Sequence, residues 1–358
     1  MCFKVLGEIG RNVLIHFFFS THASIKVILS NRSLPRLSGC LHVIVPALIC
    51  GCSEEILQQE LLSTPLTKTS LTPSVSMRES TLDIFTFDND RYRRLDAYQR
   101  MESIRYGTIG VSSTSGEKIF FLCLNGQKSR YDWSMISSYQ SLQDIYCDLE
   151  KETHLRQTMT GEIRATAGKP AKSVSISPVS SQVSIETLEY DFSGTPYSGS
   201  SITDMKVYLT NVSASCPLVY TDGYRPNRII NTGGLNPDDI KAFTDPGIIV
   251  QEVADTPGMQ ATDPGISLLC YPNPAIEESP GSPHTRLVIE GVIDSQVYYW
   301  PVTINKGKGI GRGEHYIFDI LIRRKGVADP DTPIDDAGVN IRLRIKPWTE
   351  KEGYSVGF

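Results

Sequence analysis

The stretch from residue 339 to residue 348 constrains the fold more than any other part of the chain. Polar or charged residues, three of them cationic, alternate there with four apolar ones, which are Val339, Ile341, Leu343 and Ile345. A period of two places all the apolar side chains on one face of a β-strand and the cations on the other. Because one face needs cover, the strand must lie in a sheet of its own chain or in a groove of another molecule.

Several short apolar or alternating segments, separated by turn residues, precede this strand. They are residues 82–87, 119–124, 159–165, 174–176, 183–192, 205–212, 266–271, 287–293, 297–304 and 316–323. The apolar phase shifts near Thr187, which indicates a β-bulge. Many short strands with turns between them predict a mainly β chain of antiparallel sandwiches rather than alternating βαβ units.

Two segments have helical patterns. Apolar residues recur every three or four positions from Trp133 to Leu149, and Asp132 precedes them as an N-cap, which predicts a long helix lying on a sheet. Asn236 followed by Pro237 and two acids predicts a short helix. A Gly-, Pro- and Asn-rich interval begins at residue 220, and 358 residues suit two domains of about 150. We therefore predict domains at 81–219 and 220–358.

The first 51 residues differ in charge from the rest of the chain. They hold five of the 35 basic residues and one of the 40 acidic residues, so the remainder has a formal charge of −9. An acidic body without a Lys/Arg stripe argues against nucleic-acid binding. Hydrophobic residues at 40% and charged residues at 21% are ordinary for a globular chain.

Residues 37–51 form an apolar run that follows Arg32 and Arg36 and ends in small residues, the three parts of a secretory signal. The residues from Ile49 to Cys52 resemble the bacterial lipobox, whose cysteine becomes the lipidated first residue. We therefore predict a lipoprotein signal segment at 1–52, with Cys52 as the membrane anchor. The alternative is a transmembrane helix, but a run of 15 residues containing a proline is shorter than the roughly 20 that spanning requires.

No motif for catalysis or metal binding occurs. The chain has no HExxH or GxSxG, and the glycines of residues 306–313 alternate without the spacing of a phosphate loop, so we interpret them as a mobile hairpin loop. We predict no enzyme activity, no metal and no cofactor. The cysteines of the body show no zinc-ligand spacing, and we interpret them as packed thiols, with one or two disulfides left open. These cysteines are Cys123, Cys147, Cys216 and Cys270.

Several segments, in this order, resemble the fimbrillin family of Bacteroidales pilus proteins. They are the lipobox, LDIFTF, RLDAYQR, YSGSSITDMKVYLTNV, LLCYPNP, TRLVIEG, VYYWPVTI, RGEHYIFDILIRRKGVADPDTP and a last strand ending in Trp348, and they cover most of residues 81–350. The resemblance implies two transthyretin-like β-sandwich domains, export as an outer-membrane lipoprotein, and assembly with other subunits into a surface fimbria. It also implies that a trypsin-like protease removes the N-terminal segment and opens a groove for a neighbour's C-terminal strand.

Carried onto this chain, the processing site is a basic residue before the first core strand, which makes Arg78 the first candidate and Lys68 the second. Residues 53–80 are rich in Ser, Thr and Pro, so we interpret them as a tether or pro-segment, in which both residues could equally be solvated charges. Residues 56–78 show no apolar strand that could be displaced from a groove. This departure from the stalk pattern leaves room for a tip or accessory subunit.

The C-terminal strand has two possible roles. By its pattern alone, the segment 339–346 is an ordinary edge strand of the second sandwich, beside residues 316–323. The resemblance implies a donor strand between Val339 and Phe358, and we expect the donor to be mainly Trp348 with the alternating Tyr354, Val356 and Phe358, while residues 339–346 stay in their own sheet. The alternative function is a non-polymerising surface lipoprotein that binds a glycan or a host protein. In that case aromatic residues such as Tyr298, Tyr299 and Trp300 could contact a sugar.

Overall fold

The computed structural model describes residues 4–8, 14–19, 25–30, 66–73, 80–102, 109–127, 133–169, 172–221, 223–253, 263–332, 334 and 339–348. Cys52, Arg78, Tyr354, Val356 and Phe358 lie outside the described residues. The chain divides into two compact units, Met1–Leu61 and Leu62–Phe358. In the first unit, β1 (Lys4–Glu8), β2 (Leu14–Phe19) and β3 (Ile25–Ser30) form an antiparallel sheet in that order. No helix among the described residues is long and apolar enough to span a bilayer.

The second unit begins with two sheets that share a core, and we name them together the first sheet pair. One sheet has the order β12-β10-β8-β5-β6, and the other has the order β11-β4-β7. The strands of this region are β4 (Thr67–Pro73), β5 (Thr81–Asp88), β6 (Leu95–Glu102), β7 (Ile109–Ser113), β8 (Glu117–Leu124), β9 (Tyr146–Asp148), β10 (Met159–Thr166), β11 (Lys172–Val174) and β12 (Ser177–Pro178). β9 pairs outside this pair of sheets, with a strand of the C-terminal half.

The sequence of β8 is apolar without alternation because both faces of this strand are buried. Phe120 and Leu122 belong to the core between the two sheets of the first pair. Ile119, Phe121 and Cys123 alternate with them and belong to the larger core that continues into the C-terminal half. Because each face of a strand takes every second residue, β8 is buried on both sides.

The C-terminal half contains the second sheet pair, with the orders β19-β13-β22-β23 and β18-β14-β20-β21. Its strands and the short ladders beside them are β13 (Ser181–Tyr190), β14 (Thr203–Thr210), β15 (Val212–Ser213), β16 (Ser215–Pro217), β17 (Ile229–Ile230), β18 (Val250–Glu252), β19 (Ile266–Cys270), β20 (Arg286–Ile293), β21 (Gln296–Thr303), β22 (Glu314–Ile322) and β23 (Val339–Pro347). β13 pairs antiparallel with β19 and parallel with β22, and its register shifts between Ile185 and Thr187. The predicted bulge is confirmed, as is the mainly β fold.

The division into halves does not follow the predicted boundary between residues 219 and 220. β13 and β14 lie before that point but pair with β19, β22, β18 and β20, which all lie after it. A cut at 219/220 would separate hydrogen-bonded strands. The sheets themselves change between Pro178 and Ser181.

The predicted long helix from Trp133 to Leu149 is wrong. This segment forms a 3-10 turn at Trp133–Met135, the helix α1 (Tyr139–Gln143), the strand β9 and a second 3-10 turn at Leu149–Lys151. Ser138 is the N-cap of α1 and forms a capping box with Ser141, so a new helix begins there rather than continuing from the first turn. The expected packing holds, since Trp133 and Leu142 are buried in the core beside the five-stranded sheet.

The second predicted helix is confirmed as α2 (Pro237–Lys241), whose Asn236 side chain accepts a hydrogen bond from the Asp238 amide. A third 3-10 turn spans Pro246–Ile248. α2 is followed by a chain that returns to the second sheet pair through β18.

The glycine-rich segment 305–313 is not the mobile hairpin loop that we expected. It crosses from β21 in one sheet to β22 in the other. Ile310 is buried and exchanges two backbone hydrogen bonds with Asn273, and the backbone of Gly309 approaches so closely that a Cβ there would lie 2.5 Å from the Asn273 carbonyl. Arg312 then donates to the carbonyls of Pro217 and Leu218 and to the Thr160 hydroxyl. The segment therefore fastens the C-terminal half to β10.

A buried carboxylate forms the other polar connection between the halves. Glu152 accepts hydrogen bonds from Gln127 Nε2 at 2.9 Å, Tyr271 Oη at 2.8 Å and the Thr158 amide at 2.7 Å. Burial raises the pKa of this carboxyl, and the hydrogen bonds oppose that rise. Since Tyr271 follows β19 and the other two donors belong to the first half, the network joins both sheet pairs.

Candidate functional site

β4 is one of the strands that the sequence pattern did not predict. It lies between β7 and β11, pairing antiparallel with β7 from Thr67 to Leu71 and parallel with β11. Leu71 is fully buried in the core of the first sheet pair, and Thr69 is 1% exposed. The Thr69 hydroxyl also accepts a hydrogen bond from the Gly168 amide at 3.1 Å. The segment that we interpreted as a tether therefore contains a central strand of a sheet.

The composition of β4 explains why the sequence pattern did not predict this strand. Its inward positions are Thr67, Thr69 and Leu71, so a single large apolar side chain marks the buried face. β-Branched threonines suit a strand, and the backbone ladder on both sides supplies the remaining contacts. The available signal was the alternation of Thr67, Thr69 and Leu71 with Lys68 and Ser70.

β4 fills a gap that its own sheet cannot close otherwise. Without it, β7 and β11 would have no partner in their sheet, because each of them pairs with β4 alone there. The apolar face around Ile109, Val111 and Val174 would lose the cover of Leu71. Burying one leucine is worth about 1.5–3 kcal/mol, so β4 is held by a modest apolar contribution and a double ladder.

Of the two candidate processing residues, Lys68 lies among the described residues and Arg78 does not. Lys68 is exposed, but its backbone belongs to β4, where it is the register partner of Ser112 in the ladder to β7. A protease needs an accessible backbone that can leave its hydrogen bonds, so a residue paired within a β-ladder is a poor target. Arg78 follows β4 and lies outside the described residues.

β23 is an edge strand of the second sheet pair. All nine of its residues pair antiparallel with β22, from Val339 opposite Ile322 to Pro347 opposite Glu314. Ile341, Leu343 and Ile345 are register partners of the buried Ile320, Phe318 and Tyr316, so they share the core face. Ile341 is nevertheless 37% exposed and Ile345 42% exposed. The backbone of β23 is therefore paired within its own chain, but its apolar face is only partly buried.

The polar face of β23 is fixed by charge. Arg344 forms ion pairs with Glu186 and with Asp319, at 3.1 Å from the latter. Asp319 also accepts a hydrogen bond from Thr187 at 3.0 Å, beside the bulge in β13. Charged groups on an edge strand discourage unspecific pairing with other chains.

Trp348 does not belong to the free end of the chain, contrary to our expectation. It is 7% exposed, and its amide donates to the Gly313 carbonyl at 2.7 Å. It lines a pocket of about 110 Å³ together with residues of both halves, which are His154, Leu155, Gln157, Gln182, Ser267 and Leu269. A large aromatic side chain gains much from such burial, so Trp348 anchors the end of β23.

The described residues offer little for catalysis. They contain no group of three or more metal-ligating side chains. Ser184 and His315 are hydrogen-bonded at 2.8 Å, but neither lines the pocket at Trp348. The four cysteines of the body are buried free thiols, and burial raises the pKa of Cys270 to about 12, so the reactive thiolate is scarce at neutral pH.

The fold is shared with solved structures, although no model of a protein family and no curated protein sequence matches the chain. A candidate cell adhesion protein from Bacteroides eggerthii superposes with a TM-score of 0.62 at 15% identity, covering 79% of this chain and 96% of that one. A fimbrilin from Porphyromonas gingivalis W83 gives 0.56 at 13% identity, covering 78% and 97%. The tip fimbrial protein Mfa3 from Porphyromonas gingivalis gives 0.51 at 13% identity, covering 79% and 100%.

At these identities the fold is what the proteins have in common. The predicted resemblance to the fimbrillin family is confirmed at that level. This chain is thus similar in fold to fimbrial and adhesion proteins over most of its length.

Proposed function

We propose that this chain is a structural subunit of a surface fimbria, built from two transthyretin-like sandwich domains that meet between Pro178 and Ser181. It has no catalytic role in this proposal, and its partners are other pilus subunits. The single observation that supports the proposal most is the position of β4. A strand from the N-terminal segment completes a sheet of the body, and a short segment containing Arg78 follows it.

Assembly follows from this arrangement by strand exchange. A cut after Arg78 would separate β4 covalently from β5, leaving it held by its ladders and by Leu71. An incoming extended strand can form the same backbone hydrogen bonds and place its alternate side chains in the same core. The proposed donor is the alternating segment Tyr354, Val356 and Phe358, while β23 stays in its own sheet.

The presence of β4 removes the objection to stalk-type processing. A strand, β4, precedes Arg78 and is the candidate for displacement, even though its sequence is poor in apolar residues. Both stalk and tip or accessory positions are compatible with the proposal. The glycan-binding alternative receives less support, because Trp300 is fully buried and so presents no surface to a sugar.

A protease experiment tests strand exchange. We expect that the full chain, treated with a trypsin-like protease and incubated, gives a ladder of oligomers on a gel without boiling. The Arg78→Gln variant should give none, whereas the matched Lys68→Gln variant should behave as the wild type. Removal of residues 349–358 should abolish the ladder by removing the donor. No ladder from the cleaved wild type would contradict assembly by strand exchange.

The membrane anchor is a separate part of the proposal, with the outer membrane as the expected location. Cys52 would carry the lipid after cleavage of the signal segment. In cells fed a radiolabelled or clickable fatty acid, we expect label in the wild type and in Cys50→Ala, and its loss in Cys52→Ala. Label that persists in Cys52→Ala would refute this anchor without affecting the strand-exchange experiment.

A further inference from the structure

Three arginines lie close together in the turn between β5 and β6. Arg91, Arg93 and Arg94 are exposed, as is Tyr92 between them, at 63%. Among the described residues, no carboxylate lies within ion-pair distance of any of these three guanidinium groups. We name residues 91–94 the arginine turn. It presents three positive charges to solvent on a body whose formal charge is −9.

The carboxylates nearest to the arginine turn in the sequence have other partners. Asp88 and Asp96 both form ion pairs with the buried Lys118, at 2.5 and 3.0 Å. Asp90 accepts two backbone amides of the turn, at 2.9 and 2.8 Å, and so fixes the backbone of the turn. The arginine charges are therefore available to a partner from outside the subunit.

Two aromatic rings hold the arginine side chains in place. The guanidinium carbons of Arg91 and Arg94 lie 5.8 and 5.4 Å from the centroid of the Tyr92 ring. That of Arg93 lies 5.5 Å from the ring of Tyr139. A guanidinium group that contacts an aromatic face keeps the N–H donors at its edge free for an anion. Because these side chains already have ring contacts, they lose less conformational entropy when an anion binds.

The arginine turn lies at the end of the five-stranded sheet that is opposite the junction with the C-terminal half. At the junction end, Arg312 contacts Thr160 near the start of β10, which is antiparallel to β8. β5 is antiparallel to β8 as well, so it starts at this end with Leu82 and reaches the other end at Asp88. Six steps along a strand span about 20 Å. The turn is thus remote from the junction, and all its residues belong to one subunit.

We propose that the arginine turn binds the sulfate groups of a sulfated polysaccharide. A planar guanidinium group donates paired hydrogen bonds to the oxygens of an oxyanion, and these bonds are strengthened by charge. Three such groups within four residues suit a polymer that repeats its anionic groups at short intervals. The proposal goes beyond the structural role in a fimbria and does not require strand exchange.

Other polyanions fit the arginine turn less well. A nucleic acid requires a longer track of cations than three residues on an acidic body. A folded acidic protein would need an apolar centre for its interface, whereas the exposed side chains of the turn are three cations and one tyrosine. An acidic peptide carries its carboxylates on flexible side chains, which lose more entropy on binding than groups attached to a sugar ring.

A fibre would multiply the effect of this site. Each subunit presents one arginine turn, so successive subunits can contact successive parts of one polysaccharide chain. Binding at the first turn raises the effective concentration of the chain at the next. A weak site in a single subunit is therefore sufficient for firm attachment of a fimbria.

Binding of the full chain to immobilised heparin at several salt concentrations tests the proposal. We expect Arg91→Gln/Arg94→Gln to weaken the affinity by about tenfold or more at about 50 mM salt. The slope of log affinity against log salt should also fall by about two, since each arginine releases about one counterion from a polyanion. The matched control, Arg323→Gln/Arg324→Gln, removes the same charge from exposed positions after β22 and should change the affinity less than about twofold.

The comparison of the two double variants decides whether the site is specific. No binding of heparin by the wild type, or an equal loss in both variants, overturns the proposal. Fully desulfated heparin should not compete with heparin, and equal competition by it would show that sulfate is not what the turn recognises. Stronger competition by poly-glutamate or by double-stranded DNA, at equal anionic charge, would assign the turn to an acidic peptide or to a nucleic acid instead.

A lysine variant separates the guanidinium group from its charge. Arg91→Lys/Arg94→Lys keeps both positive charges but loses the paired donors and the planar contact with Tyr92. We expect the salt slope of the wild type together with a weaker affinity, by about threefold or more. Wild-type affinity in this variant would contradict recognition through paired hydrogen bonds. The oligomer ladder does not involve the arginine turn, so failure of either proposal leaves the other standing.

Discussion

Replacing Glu152 by alanine is expected to lower the free energy of unfolding by about 3 kcal/mol. The substitution leaves the Tyr271 hydroxyl and the Thr158 amide without their acceptor in a fully buried site. Gln127 keeps a second acceptor in the Asp148 carbonyl, so it contributes less to the loss. Equilibrium unfolding in urea measures the change. The exposed Glu252→Ala variant is the control and should stay within about 0.5 kcal/mol of the wild type.

Glu152 also makes the stability of the protein depend on pH, and the sign of this dependence can be derived. Burial raises the pKa of Glu152 in the folded state above its ordinary value of 4.5. A group with a raised folded pKa binds its proton more tightly when folded, so its contribution to stability is present below pH 4.5 and is lost as the pH rises through the folded pKa. The neutral Glu152→Gln variant lacks this titration. Its stability relative to the wild type should therefore improve from pH 4.5 upwards, and a constant difference would contradict the assignment.

The junction around Glu152 has a mechanical role in the proposed fimbria. The strand that would be exchanged, β4, belongs to the first sheet pair, whereas the proposed donor follows β23 in the second. Any tension along a fibre would therefore pass from one half of each subunit to the other. Glu152 and Arg312 connect the halves through side chains with several hydrogen bonds each, so the junction resists separation without relying on a flexible linker.

Strands with strong alternation could be predicted from the sequence, and so could their local irregularities. β22 and β23 lie where the period of two placed them, and the phase shift near Thr187 marks a real bulge. Asn236 followed by Pro237 located α2, because caps act through adjacent residues. These features depend on local chemistry that a sequence contains in full.

Features that depend on distant partners could not be predicted. The apolar spacing after Trp133 suits a helix, yet the core accepts the same side chains from turns and a short strand, and Cys147 pairs with Cys216 instead. β13 and β14 looked like the end of one domain because they precede a glycine-rich interval, but their partners lie after it. Strands that pair can be far apart in the sequence, so neighbouring positions along the chain do not determine which strands pair.

The candidate functional site also depends on distant partners, so its sequence alone does not predict it. Leu71 alone marks β4, and the gap between β7 and β11 that it fills is formed by residues about 40 and 100 positions further along the chain. The sequence predicts Trp348 in the free end of the chain, because the segment after it alternates again at Tyr354, Val356 and Phe358. Its pocket draws residues from both halves, and no local pattern indicates that.

We expect Leu71→Ala to accelerate oligomer formation by at least about tenfold once the chain has been cut. Leucine-to-alanine substitutions at fully buried sites cost about 2–5 kcal/mol, and each 1.4 kcal/mol is a factor of ten in an equilibrium constant. Leu71 is the one large apolar side chain by which the described part of β4 enters the core. Its loss should release β4 more often and expose the groove for longer. The rate of ladder formation after cleavage measures this effect.

Leu66→Ala is the matched control, because Leu66 directly precedes β4 but is 71% exposed. It should assemble at the wild-type rate. Before cleavage neither variant should form oligomers, since a β4 still joined to β5 returns to its groove at a high effective concentration. Hydrogen exchange of the amides of residues 67–71 reports on the release of β4 itself. Faster exchange in Leu71→Ala without faster assembly would show that departure of β4 does not limit strand exchange, whereas unchanged exchange would show that Leu71 does not hold the strand.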